Sequence, residues 1–125
     1  MATVNDNRPV NLDLRTIKLP AAALTSITHR ITGIILFFSL PILLWMLDKS
    51  LTSEDGFNTV LDSALLKLVV WGVLSSLIYH IVAGVQHLVL DYGWGYEPKE
   101  SKLGITIMLS TTVVLILLAG VWIWV

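Results

Sequence analysis

The sequence predicts an all-α membrane protein with three transmembrane helices. Three observations carry this: an apolar composition, three long uncharged runs, and an uneven distribution of basic residues around them. Of the 125 residues, 55% are hydrophobic and 14% charged, and the mean hydropathy is +0.79. A soluble domain of this length typically carries about 25% charged residues, so the composition belongs to a membrane protein of one domain. No basic tract interleaved with aromatics suggests a nucleic-acid surface. With no cysteine in the sequence, disulfides, thiolate metal sites, iron-sulfur ligation and Cys nucleophiles are excluded.

The first uncharged run is 31–47, extended upstream by 19–28 with His29 and Arg30 embedded between them. The second is 68–90 and the third 103–125. Twenty-three helical residues rise about 34 Å, enough to cross a hydrocarbon layer of roughly 30 Å. In hydrocarbon the backbone must satisfy its own hydrogen bonds, so these runs are helices. The expected spans are 22–47, 66–91 and 103–125, with an N-terminal cytoplasmic segment at 1–20. The first eighteen residues are polar and the first apolar run exceeds a signal peptide's apolar stretch, so insertion through the first helix is expected.

Pro20 suits the first turn of the first helix, and Pro41 is placed to kink its middle. Ser53 is an N-cap candidate for a short interfacial piece within 48–62. Gly93 is a cap for the end of the second helix, and 97–102 reads as the link to the third. Arg8, Arg15, Lys18, Arg30, Lys99 and Lys102 lie on one side, against Lys49 and Lys67 on the other. This bias places the N-terminus and the second loop in the cytoplasm or mitochondrial matrix. Trp45, Trp122 and Trp124 then fall at the outer interface and Tyr92, Trp94 and Tyr96 at the inner one, as belts or as ordinary packing. Small and hydroxyl residues recur in the second and third spans, among them Gly72, Ser75, Ser76, Gly84, Gly104, Thr112 and Gly120. Such residues mark close helix contacts, so a membrane-embedded partner is expected.

Ionisable residues at depth are the functional candidates. His80 lies about 18 Å into its span. It either donates one structural hydrogen bond or serves as an axial haem ligand in an intramembrane redox protein. Gly84, one turn away, leaves space for a flat macrocycle. His87 lies on the same face about 10.5 Å further along. Two axial ligands of one iron have nitrogens about 4 Å apart, so His80 and His87 cannot share one. His87 fits the haem's polar edge or the headgroup layer. His29 reads as too shallow to face His80, so a second ligand is expected from another chain. Ser26 and Arg30 share a face at i,i+4 and present a hydroxyl and a guanidinium at the inner edge. They either grip a carbonyl-bearing head group or leave Arg30 to snorkel to lipid phosphate. Asp91 is free to pair with Arg30, His29 or a soluble partner.

The stretches Arg8-Pro9-Val10-Asn11-Leu12-Asp13-Leu14, Ser26-Ile27-Thr28-His29-Arg30-Ile31-Thr32-Gly33 and Tyr79-His80 through His87-Leu88-Val89-Leu90-Asp91-Tyr92-Gly93 resemble the family of succinate dehydrogenase cytochrome b556 subunits. The resemblance runs from Arg8 to the end of the third span, and the serine-to-His-Arg block together with the His-x-x-x-Gly-x-x-His-x-x-x-Asp block makes it specific. It implies three helices forming half of a heterodimeric bundle in a four-subunit complex. Its partners would be a flavoprotein subunit, an iron-sulfur subunit and a second membrane-anchor subunit in a bacterial inner membrane. It further implies that His80 ligates haem b opposite a histidine of the second anchor. Ser26 and Arg30 would line a ubiquinone site, and Arg30 and His87 would lie near the haem propionates. Gln86 stands where relatives often carry arginine, so one propionate contact would be missing. A fumarate reductase anchor, and a structural membrane subunit without cofactor, are the rival readings.

Overall fold

A computed structural model describes residues 20–125; Arg8, Arg15, Lys18 and the Arg8 to Leu14 stretch lie outside them. The described residues form four helices: α1 (Ala21–Thr52), α2 (Glu54–Asp62), α3 (Ala64–Asp91) and α4 (Pro98–Trp124). Of these, α1, α3 and α4 are long and apolar enough to span a membrane. The short α2 lies between the first two. α3 is the central helix, packed along both α1 and α4, whereas α1 and α4 barely touch.

The local signals account for most of the boundaries. Pro20 sits just outside α1 as its N-cap, with φ −64° and ψ 154°, and its carbonyl accepts from Ala23 and Leu24 N–H. α1 continues through Pro41 to Thr52. Ser53 caps α2, its Oγ accepting the Gly56 N–H at 2.9 Å, and Glu54 and Asp55 fill the first turn, where the helix dipole favours acidic groups. Gly56 lets α2 fold back on α1, because a Cβ there would lie 2.3 Å from the Lys49 carbonyl oxygen. Gly93, at φ +107°, terminates α3. Its N–H donates to Leu90 O at 2.9 Å, and the Trp94 N–H to Val89 O at 3.3 Å. This paired arrangement satisfies two end carbonyls and favours glycine.

Two expectations change. The segment 97–102 is not a free link: Pro98 opens α4, with Glu97 as its N-cap. The ring's missing N–H costs nothing at a first helical position. Glu100 Oε2 accepts the Gly95 N–H at 3.0 Å, tying this turn to the preceding loop. The small residues also divide. Thr112 is buried and Gly120 meets Trp71, but nothing lies within 4 Å of a Cβ placed on Gly72.

The bundle buries little within itself. Met46, Ala83 and Met108 are its only buried apolar residues among those described, and large apolar side chains cover the outside. A lone chain in water could not sustain this surface; lipid and neighbouring helices suit it. Hydroxyls inside the spans bond to carbonyls of the preceding turn, such as Ser39 to Ile35 O at 2.6 Å and Thr112 to Met108 O at 2.8 Å. This satisfies them without a partner helix.

The α3/α4 contact has a specific lock. Trp71 Nε1 donates to Ile116 O at 2.9 Å, and the indole edges onto Trp124 with ring centres 5.7 Å apart. A Cβ on Gly120 would fall 3.1 Å from the Trp71 ring. Gly120→Val is therefore expected to destabilise the packed bundle by about 1–3 kcal/mol through overpacking. The measurement is thermal denaturation in detergent, and an unchanged midpoint would refute the lock.

Candidate functional site

The site lies between α1 and α3, in the half of the bundle nearer the α3–α4 loop. α1 contributes Ser26, His29, Arg30, Thr32 and Gly33; α3 contributes Tyr79, His80, Gly84 and His87. At 100° per residue, Ser26, His29, Arg30 and Gly33 fall within about 100° of one another around α1. His80 and His87 lie about 20° apart around α3 by the same arithmetic.

His29 and His80 stack, with ring centres 3.9 Å apart and planes 9° from parallel. His87 meets His29 edge-on at 5.5 Å. This corrects the expectation that His29 is too shallow to face His80. α1 starts at Ala21, so His29 lies about 12 Å inside it, and His80 lies about 16 Å from the Asp91 end of α3. The difference is less than one turn, and the two side chains meet.

The stack still does not make a pair of axial ligands. An imidazole lone pair lies in the ring plane, whereas these rings face each other through their π surfaces. A flat macrocycle has no room between rings 3.9 Å apart. Two glycines make the stack possible: a Cβ on Gly33 would lie 3.1 Å from His80 Cε1, and one on Gly84 would lie 3.3 Å from His29 Nε2. The space expected beside Gly84 for a cofactor is therefore taken by His29.

His80 Nδ1 is 3.0 Å from the His29 carbonyl oxygen and 3.1 Å from Thr32 Oγ1. A carbonyl only accepts, so its partners assign the hydrogen to Nδ1 and leave Nε2 as the basic nitrogen. Above this pair, the Thr28 hydroxyl and the Tyr79 phenol are hydrogen-bonded to each other. Tyr79 also donates to Thr25 O at 3.4 Å. These contacts hold α1 to α3 on both sides of His29.

His87 Nε2 and Gln86 Oε1 are buried without a hydrogen-bond partner among the described residues. A buried polar atom of this kind normally meets a partner, a water or a ligand. Gln86 does not accompany the histidines. It faces α4, its Nε2 3.8 Å from the position of a Gly104 Cβ, in an apolar groove shared with Trp94 and Met108. Gln86 therefore lies on the α4 side of α3, apart from the His29–His80–His87 cluster. Ser26 is half-buried and Arg30 exposed, on the α1 face that continues outward from His29. Asp91 is exposed at the end of α3.

No group of three His or carboxylate side chains among the described residues converges to hold an ion by itself. The sequence pattern missed Thr32, Gly33 and Tyr79. The available signal was spacing for Thr32, which follows His29 by three residues and so shares its face; Tyr79, about 100° round the helix from His80, had no such signal.

Comparison with known proteins gives this three-span chain with its histidine cluster a lineage. The family model of the succinate dehydrogenase/fumarate reductase transmembrane subunit matches residues 4–119. The chain belongs to that family. Among its relatives, the succinate dehydrogenase cytochrome b556 subunit of Coxiella burnetii is 36% identical over 97% of this chain and 100% of its own length. The subunit of the same name from Paracoccus denitrificans is 36% identical over 94% of each chain. The cytochrome b560 subunit of Reclinomonas americana is 32% identical over 94% of this chain and 88% of its own. The family match contains α1, α3 and their interface, and α4 up to residue 119.

Proposed function

We propose that this transmembrane subunit anchors a succinate:ubiquinone oxidoreductase in the bacterial inner membrane, with its N-terminus cytoplasmic. In that reading it co-ligates haem b through His80 and contributes Ser26 and Arg30 to the ubiquinone-reduction site. The observation that carries the reading is the state of His80. Its Nδ1–H is held by the His29 carbonyl at 3.0 Å, so Nε2 is the ring nitrogen left to offer a lone pair to iron.

His29 fills the space beside Gly84, so the fit rests on the ring edge of His80 and on two further side chains. His87 Nε2, buried without a partner among the described residues, suits a hydrogen bond to a propionate, and Arg30, exposed about 100° round α1 from His29, is a long cation suited to its charge. His29, stacked face to face on His80, would not join it in holding the iron, so a further imidazole would be supplied by the second anchor subunit. When bound, the haem supplies a one-electron store beside the quinone site. An iron-sulfur subunit and a flavoprotein subunit deliver the electrons of succinate.

This chain's own part in quinone reduction is binding and polarisation. Arg30 is a permanent cation that stabilises negative charge developing on a quinone oxygen, and Ser26 can donate a hydrogen bond to the same head group. An arginine is a poor proton donor, so the two protons of ubiquinol arrive through water or a partner's side chain. The family description covers both reaction directions, which keeps a fumarate reductase anchor as the second reading. Gentle detergent purification tests the whole proposal. Flavoprotein, iron-sulfur and second anchor chains are expected to co-purify with a b-type optical spectrum. Turnover is expected to be faster with ubiquinone than with a low-potential menaquinol. A colourless preparation without those chains would leave only a structural subunit.

A further inference from the structure

The hydrogen-bond pattern around His80 Nδ1 contains more than a backbone contact. Thr32 Oγ1 lies 3.1 Å from Nδ1 and 2.8 Å from the His29 carbonyl oxygen, which itself lies 3.0 Å from Nδ1. The three groups form a closed triangle. Its polarity is determined by chemistry: the carbonyl can only accept, so Nδ1 carries a hydrogen and the Thr32 hydroxyl directs its own hydrogen to the carbonyl. The remaining lone pairs of Thr32 then face Nδ1–H. One ring hydrogen is thus shared by two acceptors, and only one of them is a side chain. Along the same edge of the ring, Gly33 approaches so closely that a Cβ would fall 3.1 Å from His80 Cε1 and 3.7 Å from Nδ1. The Nδ1–Cε1 edge of the imidazole is therefore seated against consecutive residues of α1.

We propose that Thr32 is a positioning residue that orients His80 and sets the electron-donating strength of its Nε2. The inference rests on the reading of His80 as the haem iron ligand. An acceptor on the distal N–H of a metal-bound imidazole raises the ligand's basicity, and a more basic ligand favours oxidised over reduced iron. Thr32 is the acceptor in this triangle that a substitution can remove without disturbing the backbone. Its loss shifts the equilibrium toward the reduced haem.

The test uses the complete purified complex carrying Thr32→Val or Thr32→Ser, with the haem followed optically during a redox titration and by EPR. The valine variant is expected to retain haem and to move the ratio of reduced to oxidised haem at fixed ambient potential roughly three- to tenfold toward reduced. That corresponds to a rise of about 30–60 mV for a one-electron couple. Thr32→Ser keeps the hydroxyl and is expected to restore the parent potential. An unchanged potential in Thr32→Val overturns the proposal, as does an equal shift in the valine and serine variants, which would assign the effect to packing. Where the valine complex does not assemble, Thr32→Ala removes the same acceptor with less bulk, and an unchanged potential there is equally fatal. Retention of the b-type spectrum by His80→Leu overturns the ligand reading instead, so the two failures are separable.

Discussion

Replacing His80 with leucine is expected to strip haem b from the assembled complex. Leucine has a comparable apolar volume but offers iron no lone pair. Loss of a hydrogen bond behind a metal ligand already costs about 10- to 100-fold in affinity, so loss of the ligand itself exceeds that. The substitution also removes the Nδ1–H that the His29 carbonyl and Thr32 Oγ1 accept at 3.0 and 3.1 Å. Because the His29 carbonyl keeps its bond from the Thr32 hydroxyl, the loss is that of one hydrogen bond across α1 and α3, about 0.5–1.5 kcal/mol. Two measurements separate the effects: haem per flavin in the purified complex, and the thermal midpoint of the same preparation. Haem is expected to fall to a trace while the complex still assembles with a lowered midpoint. An unchanged bis-histidine optical and EPR spectrum would refute the ligand assignment.

Arg30→Ala is expected to reduce ubiquinone turnover by about 10²- to 10³-fold, the usual loss when one preorganised donor to a developing oxyanion is removed. Arg30 is exposed beside half-buried Ser26, so its removal creates no cavity in the α1/α3 interface. The fall should therefore appear in turnover with little change in thermal stability. Arg30→Lys keeps the charge but loses the planar fork and is expected to recover only part of the rate. Succinate oxidation by a water-soluble dye reports whether the rest of the complex is intact. Normal ubiquinone reduction in a haem-replete Arg30→Ala complex would remove Arg30 from the site and leave it anchoring the helix to lipid phosphate.

These two residues differ in how they could be found. Arg30 and Ser26 declare themselves by spacing, because i,i+4 residues share a helix face whatever the helix packs against. His80 declares itself by the cost of placing an imidazole among Leu77, Ile78, Ile81 and Val82. Its immediate environment could not be read the same way. Assigning His29 to a shallow position treated it as lying near the end of its helix. Because α1 begins at Ala21, it instead lies more than two turns inside. Gln86 is a related case: it adjoins His87 in sequence, but one residue turns a helix by about 100° and carries the side chain round to α4.

The amino-acid sequence by itself determined three membrane spans, the Ser53 cap of the short α2, the glycine stop at Gly93 and the ionisable residues that belong at depth. These are local properties: hydropathy over a window, capping chemistry and helical period act within a few residues of one another. Only the tertiary structure decided that His29 stacks on His80, that Thr32 and the His29 carbonyl share the Nδ1–H, that Gly33 and Gly84 make space for those rings, and that Gln86 faces away. Each depends on the axial offset and rotation of α1 against α3, two quantities on which no single helix carries information. They are set by the sum of contacts such as Tyr79 with Thr25 and Thr28 along the shared interface.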